Sequence, residues 1–402
     1  MTTRLKTFGC GVAALALAFT TACSAGGGGP AADLSYIAVQ DGQVTDTTTN
    51  GVSIAATDAI RYGVNDHPIK RSFDLDAPTF ETFCKRKLQV YRVDVPVTAD
   101  TEPYAASRLR RILTLVRQCG GRLVVVLQTG FAWQDRTDAG RYPAADRAAL
   151  YSQGYDRTLA FVDQFRGEPI DWELGNEINL LAAGDDGFPL FDRGWTDAEF
   201  DKPLMYDWAA VLRGMSDAID VIRQRPGGAT TRRVLNTTSS NFGFLDFMIA
   251  QGVKFEVIDY HYYNWEGADP RALYRAPPLP AYNLFKKLAT YKRPVIIGEV
   301  NAAEIYHDEY ANSPTDALTQ KGFRSFRNTL QFFRDQRELT IEAVVAYEMW
   351  DEPEKPAPEN RFGLMTAYGQ PKLSMSILTA FAGGPLPASE RQALAAAGLL
   401  PR

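Results

Sequence analysis

The chain has 402 residues, of which 45% are hydrophobic and 23% are charged, and its formal net charge is −5 at pH 7. This is an ordinary globular composition with enough apolar material for a large core, and a single α/β barrel can use this length. The acidic balance and the absence of a long basic run argue against nucleic acid as a partner.

The first 23 residues have the pattern of a bacterial export signal. Two cations, Arg4 and Lys6, precede an apolar stretch at positions 12–19 that is too short for a typical membrane span. Small residues then lead to Cys23 and resemble a lipoprotein cleavage box, although Thr20 stands where that box prefers leucine. The sequence therefore predicts a lipoprotein anchored to the membrane through Cys23, at the cell surface or in the periplasm, with simple secretion as the alternative.

Composition divides the remainder into three parts. Residues 24–33 are rich in glycine and alanine and are predicted to be a flexible linker. Residues 34–384 form the predicted main domain, in which positions 34–58 supply one or two small strands. Residues 385–402 form a tail, where positions 389–392 have the pattern of a capping box that would begin a short helix.

From residue 60 onward, strand-like and helix-like segments alternate. The predicted strands are 60–64, 88–93, 122–128, 170–174, 233–236, 255–260, 294–298 and 343–347. The predicted helices are 80–87, 105–118, 146–165, 204–224, 244–251, 282–291, 315–336 and 373–381. Eight such repeats predict an α/β fold, a (β/α)8 TIM barrel. A doubly wound sheet is the main rival, but the sequence has no G-x-G-x-x-G fingerprint ahead of a helix.

Active sites of such barrels lie at the carboxyl ends of the strands. Glu177 follows the fourth predicted strand and Glu299 follows the seventh, so the fold would place both acids at one mouth. Two carboxylates facing each other across a cleft are the groups that cleave a glycosidic bond. The other polar or aromatic candidates near strand ends are Asn65, Asp66, Arg92, Asp94, Gln128, Asn176, His261, Tyr263, Glu348, Trp350 and Asp351.

These motifs resemble the clan A retaining glycoside hydrolases, and most closely the cellulase-like enzymes of family five. The resemblance covers about residues 60–382. It rests on Asn176-Glu177, Glu299, Tyr91-Arg92-Val93, His261-Tyr262-Tyr263, Trp350, and the runs at 362–364 and 369–372. The chain departs from family five at Gln128, where many members carry histidine. The resemblance implies that Glu177 is the acid/base, that Glu299 is the nucleophile, and that the substrate is β-linked.

Retaining chemistry makes opposite demands on the two acids. Glu299 has to be ionised, and Arg92, His261 and Tyr263 are the candidate hydrogen-bond donors that would favour its charged form. Glu177 has to hold a proton near neutral pH, and a negative neighbour favours that protonated form. Asn176 is expected to bind a sugar 2-hydroxyl.

Several of these side chains also have a purely structural reading. His261 could be a satisfied core histidine, and Arg92 could pair with Asp94 or Asp66. Trp350 offers a flat face for a sugar ring but could belong to the core. The remaining predicted substrate-binding or platform residues are Asn65, Gln128, Trp133 and Trp265, and the loop at about 178–203 is expected to wall part of the cleft.

The four cysteines separate into two groups. Cleavage would remove Cys10, and lipid would occupy Cys23. Cys84 and Cys119 then remain as one pair in an exported protein, where oxidation is permitted. They form either a disulfide or two buried thiols.

Other chemistries lack their motifs. The chain has three histidines, no H-E-x-x-H and no Cys/His cluster, so neither a metal nor another cofactor is expected. It has no G-x-S-x-G elbow of a serine hydrolase. The sequence therefore predicts a monomeric retaining glycoside hydrolase acting on a β-linked oligo- or polysaccharide. A non-catalytic carbohydrate-binding surface lipoprotein and a transglycosylase on the same scaffold are the alternatives.

Overall fold

The computed structural model of the chain describes residues 60–69, 75–98, 101–128, 146–182, 189–190, 193–263, 268–275, 279–301, 316–356 and 359–402. The predicted export signal, linker and small strands, together with Cys23, Trp133 and Trp265, lie outside the described residues. Within those residues, no helix combines the length and the apolar character that crossing a membrane requires.

Eight parallel strands close into a barrel in chain order, and β8 pairs with β1 to complete it. The strands are β1 (Arg61–Asp66), β2 (Val90–Pro96), β3 (Arg122–Gln128), β4 (Ile170–Glu173), β5 (Arg232–Thr238), β6 (Val257–Tyr262), β7 (Val295–Val300) and β8 (Ile341–Ala346). This confirms the predicted (β/α)8 TIM barrel.

Each strand is followed by a helix in the described part of the chain. The helices are α1 (Asp76–Lys85), α2 (Glu102–Gln118), α3 (Arg147–Val162), α4 (Pro203–Gln224), α5 (Phe242–Ala250), α6 (Leu284–Ala289), α7 (Asp316–Asp335) and α8 (Leu373–Phe381), with α9 (Ala388–Ala396) in the tail. Buried aliphatic and aromatic side chains fill the space between the strands and this helical layer.

The barrel interior changes from apolar to charged along the strands. Val90, Val234 and Val257 belong to a small apolar cluster contributed by the strand beginnings. Side chains in a strand alternate between its two faces, so residues two positions further on share the interior face. Those positions include Arg92 and Asp259, which are both fully buried. The strands therefore carry charged groups into the interior just below the mouth.

Five strands continue further than the sequence predicts. β1 ends at Asp66, β2 at Pro96, β5 at Thr238, β6 at Tyr262 and β7 at Val300. The prediction ended these strands early because it took polar residues as the beginning of a loop. In a closed barrel the inward positions near the mouth stay hydrogen-bonded in the sheet while their side chains face the site.

The tail packs against the barrel and does not use the predicted capping box. Helix α9 begins at Ala388 with Pro387 as its N-cap, and that cap makes no side-chain hydrogen bond. Glu390 instead accepts hydrogen bonds from Arg86 at 2.6 and 2.8 Å, so its carboxylate is not available to cap the helix. Leu394 and Leu399 are fully buried. The tail is thus held by an ion pair, by buried leucines, and by hydrogen bonds that include those from Arg327 to the carbonyl oxygen of Leu400.

A disulfide joins the ends of the first two helices. Cys84 lies in the last turn of α1 and Cys119 caps α2, and their Cα atoms are 4.9 Å apart. The bond ties two neighbouring helices of the outer layer together, on the side of the barrel formed by β2 and β3.

Candidate active site

Glu299 lies inside β7 and faces the barrel interior because the strand carries an irregularity. Asp259 pairs with Ile296, whereas His261 pairs with Glu299, so two residue steps on β6 oppose three on β7. Such a bulge turns the following side chain to the other face of the sheet. Simple alternation from Ile296 would have directed Glu299 toward the helices. The bulge therefore brings this acid into the site.

Three donors surround the carboxylate of Glu299. Nη1 of Arg92 lies 2.9 Å from Oε1, and the Tyr263 hydroxyl donates to Oε2. Nδ2 of Asn65 lies 3.5 Å from Oε1. These contacts fix the orientation of a carboxylate that is only 5% exposed. Arg92, Tyr263 and Asn65 were all predicted site residues, and the structure brings them together around this acid.

Glu177 reaches the same pocket through a sharp turn after β4. The strand ends at Glu173, Gly175 has φ +84°, and Glu177 itself has φ 47°. A left-handed conformation in a residue other than glycine costs about 1–3 kcal/mol and is retained mainly at functional sites. The backbone N–H of Glu177 donates to Oδ1 of Asn236 at 2.8 Å, which holds the turn in place.

His261 connects the two acids. Its Nδ1 lies 2.8 Å from Oε1 of Glu177 and 3.5 Å from Oε2 of Glu299. One oxygen from each acid and one imidazole nitrogen all lie within 4.8 Å of one another. Retaining glycosidases hold their two carboxyl groups about 5–5.5 Å apart, and inverting enzymes hold them about 6.5–9.5 Å apart. The separation in this pocket suits the retaining arrangement.

Charge and burial act in opposite directions on these groups. Burial raises the pKa of the Glu299 carboxyl above its ordinary value, while His261, Arg92 and the Tyr263 hydroxyl act to lower it. Burial would lower the pKa of His261, but Glu299, Asp259 and Glu177 together raise it well above 6.5. The three acids therefore favour the charged imidazolium form of His261, which lies directly beside both Glu177 and Glu299.

A buried layer of charge supports the site from below. Arg92 donates from Nε and Nη2 to the two oxygens of Glu173, both at 2.8 Å, and its Nε lies 3.5 Å from Asp259. All three side chains are fully buried. Paired hydrogen bonds of this kind fix the plane of a guanidinium. Glu173 and Asp259 thus position Arg92, which in turn contacts Glu299.

Glu173 and Asp259 were not among the predicted site residues. Burial and Asp259 raise the pKa of Glu173 to about 8, although Arg92 opposes the shift. A Cβ atom at Gly298 would lie 1.9 Å from Oδ2 of Asp259, so the glycine makes room for this acid. The available signal was the two-residue spacing of polar side chains within each strand, Asp171 and Glu173 in β4 and Asp259 and His261 in β6.

Asn176 lies beside the acid pair as predicted. Its Oδ1 accepts a hydrogen bond from Nη2 of Arg92 at 2.7 Å. Gln128 ends β3, and its Nε2 lies 3.4 Å from Oδ2 of Asp94. Asp94 lies two positions after Arg92 on β2, so its side chain also points into the barrel. Gln128 therefore lies at the barrel mouth, next to Asp94.

The interpretation of Trp350 as a flat face for a sugar ring is wrong. Its side chain is 2% exposed, and its indole N–H donates to Oγ1 of Thr79 at 2.8 Å. The chain after β8 turns this residue outward onto α1. The half-buried aromatic ring near the acids is Tyr347, whose centroid lies 6.3 Å from that of Tyr263. In the sequence, Tyr347 is the last residue of the eighth predicted strand. That position at a strand end could have identified it as a site residue.

The acid pair and His261 also have a geometry that could hold a metal ion. Arg92 and Tyr263 already donate to the two oxygens of Glu299. The donors and charges of this pocket therefore suit acid–base and nucleophilic chemistry better than metal ligation.

No family model and no curated protein matches this chain. Solved structures do match. A family 39 glycoside hydrolase from Bacteroides cellulosilyticus WH2 is similar at TM-score 0.56 and 15% identity, over 81% of this chain and 64% of that one. The family 1 β-glucosidase from Thermotoga maritima is similar at TM-score 0.55 and 12% identity, over 81% and 97%. GH5_18 from Streptomyces cattleya, in complex with GlcNAc, is similar at TM-score 0.53 and 17% identity, over 86% and 82%.

These neighbours are clan A glycoside hydrolases. At such low identity the likeness establishes the fold alone. At the level of the fold, it confirms the resemblance that was stated from the sequence motifs. The chain spans less than two thirds of the family 39 structure.

Proposed function

We propose that this protein is a retaining glycoside hydrolase that cleaves a β-linked oligo- or polysaccharide by double displacement. The observation that carries the proposal is the shared pocket of Glu177 and Glu299, whose nearest oxygens lie within 4.8 Å of each other. The fold shared with a β-glucosidase and with GH5_18, whose complex from Bifidobacterium longum contains Manb1-4GlcNAc, supports a β-glycoside as substrate.

In the first step, Glu299 attacks the anomeric carbon and Glu177 protonates the leaving oxygen. Arg92 and Tyr263 hold the two oxygens of Glu299, which fixes the angle of attack before substrate arrives. Nδ1 of His261 lies 2.8 Å from Oε1 of Glu177 and fixes the orientation of this carboxyl. Asn176, held by Arg92, contacts the sugar 2-hydroxyl.

In the second step, Glu177 takes a proton from water, and the water displaces the sugar from Glu299. Formation of the glycosyl ester removes the negative charge of Glu299, and Glu177, having given its proton to the leaving group, is free to act as a base toward water. The same residue therefore acts as acid first and base second. Asn65 and Gln128 are proposed to bind substrate at the β1 and β3 sides of the mouth.

The test compares two matched variants on aryl β-glycosides with leaving groups of different acidity. Glu299→Gln should lose about 10³-fold or more of kcat on every substrate, because no nucleophile remains. Glu177→Gln should lose kcat/KM mainly on poor leaving groups, since 2,4-dinitrophenolate departs without a proton, while its kcat falls on all substrates because the second step loses its base. Equal losses of kcat/KM on all substrates for both variants would contradict the separate roles.

The same assay separates the two alternatives. A non-catalytic sugar-binding protein would show no turnover in the wild type on any glycoside of the panel. A transglycosylase would form longer products when an acceptor sugar is added, which chromatography of the products detects.

Export and lipidation are a second, independent proposal that rests on the sequence pattern at Cys23. Full-length protein expressed in a bacterial host should fractionate with membranes and carry a lipid-modified N-terminal cysteine by mass spectrometry. A Cys23→Ser variant should lose both properties. Membrane association that survives this substitution would contradict the anchor.

A further inference from the structure

The end of the barrel opposite the mouth is basic, and it is called the basal face below. It consists of the first residue of each strand and the seven segments that join each helix to the next strand. These positions contain eleven basic residues and four acids. The basic residues are Arg61, Arg86, Lys87, Arg122, Arg166, Arg225, Arg232, Lys254, Lys292, Arg293 and Arg337, and the acids are Asp163, Glu168, Glu256 and Glu338.

The mouth has the opposite charge. By sequence, the segments between each strand end and the following helix contain 22 acids and 11 basic residues. Helix α7, which runs from the mouth toward the basal face, is about 30 Å long. Charges in physiological salt are largely screened beyond about 8 Å. A partner at the basal face therefore meets its basic residues, and the net charge of −5 of the whole chain matters little there.

Ion pairs within the fold neutralise part of the basal charge. They bring in five acids from neighbouring elements, namely Asp171, Asp217, Asp220, Glu342 and Glu390. They also bring in three further arginines, namely Arg117, Arg223 and Arg233. The excess of basic over acidic residues therefore falls from seven to five, and the face stays positive.

Four of the basal cations make no ion pair within the part of the chain that the structure describes. They are Arg61, at the start of β1, and Lys87, Lys292 and Arg337, in the segments that lead into β2, β7 and β8. These strands are adjacent in the closed barrel. The side chains of the last three residues are exposed, and that of Arg61 is half-buried. The unpaired cations thus form one continuous sector, whose segments contain one acid, Glu338.

Lys87 and Lys292 occupy backbone positions where this chain elsewhere places glycine. Each has φ 53° and follows the end of a helix, α1 or α6. The left-handed positions after α2, α3, α4 and α5 are Gly120, Gly167, Gly227 and Gly252. A side chain disfavours this conformation, and although cations are favourable near any helix end, the four glycines show that the position does not require one. The two lysines therefore keep their charge on this face at a conformational cost.

The chain that leads from Cys23 enters the barrel at this face. β1 begins at Arg61, and the backbone N–H of Gln89 donates to the carbonyl oxygen of Tyr62 at 2.8 Å, so the segment with Lys87 lies beside the entry point. The 36 residues at positions 24–59 can span at most about 130 Å. A lipid on Cys23 would hold the basal face at a high effective concentration near a bilayer.

We propose that the basal face docks on an anionic phospholipid surface, so that the barrel mouth faces away from the membrane. This goes beyond the proposed glycosidase, and it rests on the anchor at Cys23 for proximity alone. Each lysine or arginine near an anionic bilayer strengthens binding about fivefold, and salt screens the effect. The contact orients an anchored protein, but it is too weak to hold a chain without lipid in a membrane fraction.

Vesicle titrations of the full-length Cys23→Ser chain test the surface without the lipid. In about 0.1 M salt, vesicles that contain phosphatidylglycerol should bind it at least about tenfold more tightly than vesicles of phosphatidylcholine alone. The preference should disappear in about 1 M salt. Equal binding to both vesicles, or a preference that survives high salt, would overturn the proposal. Binding to soluble polyphosphate without binding to either vesicle would overturn it in favour of an anionic polymer.

Two matched double variants of the same chain locate the contact. Lys87→Gly/Lys292→Gly should weaken binding to phosphatidylglycerol vesicles about tenfold or more, while Tm stays the same or rises because glycine suits the left-handed conformation. Lys321→Gln/Arg324→Gln removes the same charge from exposed positions of α7, at least about 16 Å along the helix from its basal end, and should leave binding unchanged. Equal effects of the two double variants on binding, or a lower Tm of the glycine variant, would refute the role of the basal face.

Discussion

Arg92 of β2 donates a hydrogen bond of 2.9 Å to Glu299 of β7, across a barrel that brings together residues 207 positions apart. The same guanidinium binds Glu173 through two further hydrogen bonds of 2.8 Å. Arg92 is therefore the link between a buried acidic layer and the proposed nucleophile. The stability of that layer and the geometry of the reaction depend on the same side chain.

Replacement of Arg92 by lysine tests this link. Arg92→Lys keeps the positive charge but cannot bind Glu173 with two parallel bonds while reaching Glu299. We expect kcat to fall about 100-fold, as for a misplacement of reacting groups by about 1 Å. The free energy of unfolding should also fall by about 3–5 kcal/mol, since buried acids lose their partner. Steady-state kinetics and urea unfolding measure the two effects, and an unchanged kcat would contradict the positioning role.

Glu173 predicts a pH dependence of stability. Its pKa is raised from 4.5 to about 8, so between these values the folded protein binds more protons at this site than the unfolded chain does. The contribution of this group to the free energy of unfolding therefore declines as pH rises from about 5 to 8. Glu173→Gln has no titrating group there.

Urea unfolding at pH 5 and pH 8 checks this prediction. The wild type should lose more stability between the two pH values than Glu173→Gln does. The opposite order would show that Glu173 is ionised in the folded protein throughout this range.

Trp350 and Tyr347 are predicted to differ in their effects on binding. Trp350→Phe removes the hydrogen bond to Thr79 and should lower the free energy of unfolding by about 1–3 kcal/mol, with KM unchanged. Tyr347→Leu should raise KM, because the half-buried ring lies beside Tyr263 at the acid pair. Thermal unfolding and substrate titrations separate the two. A raised KM for Trp350→Phe would restore the sugar-stacking interpretation of that residue.

The disulfide between Cys84 and Cys119 should contribute to stability and not to chemistry. The two residues are 35 positions apart, and a closed loop of that size stabilises the folded state by about 4 kcal/mol in the chain-entropy description. The double variant Cys84→Ser/Cys119→Ser should lower Tm and leave kcat at 25 °C unchanged. An equal Tm for both proteins would show that the bond contributes nothing.

The sequence predicts the repeats of the barrel well because buried parallel strands are short apolar runs. β3 and α8 have the predicted bounds, and every predicted strand overlaps an observed one. Glu177 and Glu299 were identified because each follows such a run and matches a family motif.

The remaining features depend on interactions that a single strand does not reveal. Nothing in β4 or β6 alone indicates a partner for Glu173 or Asp259, and only closure of the barrel brings Arg92 to both acids. The bulge that turns Glu299 inward depends on the pairing of β6 with β7. Trp350 follows β8 by a few residues, and its direction was decided by the hydrogen bond to Thr79 on a distant helix.

The most direct test of the central claim is to trap the covalent intermediate. The intact protein is incubated with a panel of 2-deoxy-2-fluoro-β-glycosyl fluorides of neutral sugars, digested, and analysed by peptide mass spectrometry. The fluorine slows both steps while the good leaving group still allows the first, so the glycosyl ester accumulates. The label is predicted on Glu299, at a comparable rate in Glu177→Gln because the good leaving group needs little protonation, and absent in Glu299→Gln. A label on any other residue, or an inverted product from an unlabelled but active enzyme, would contradict the account.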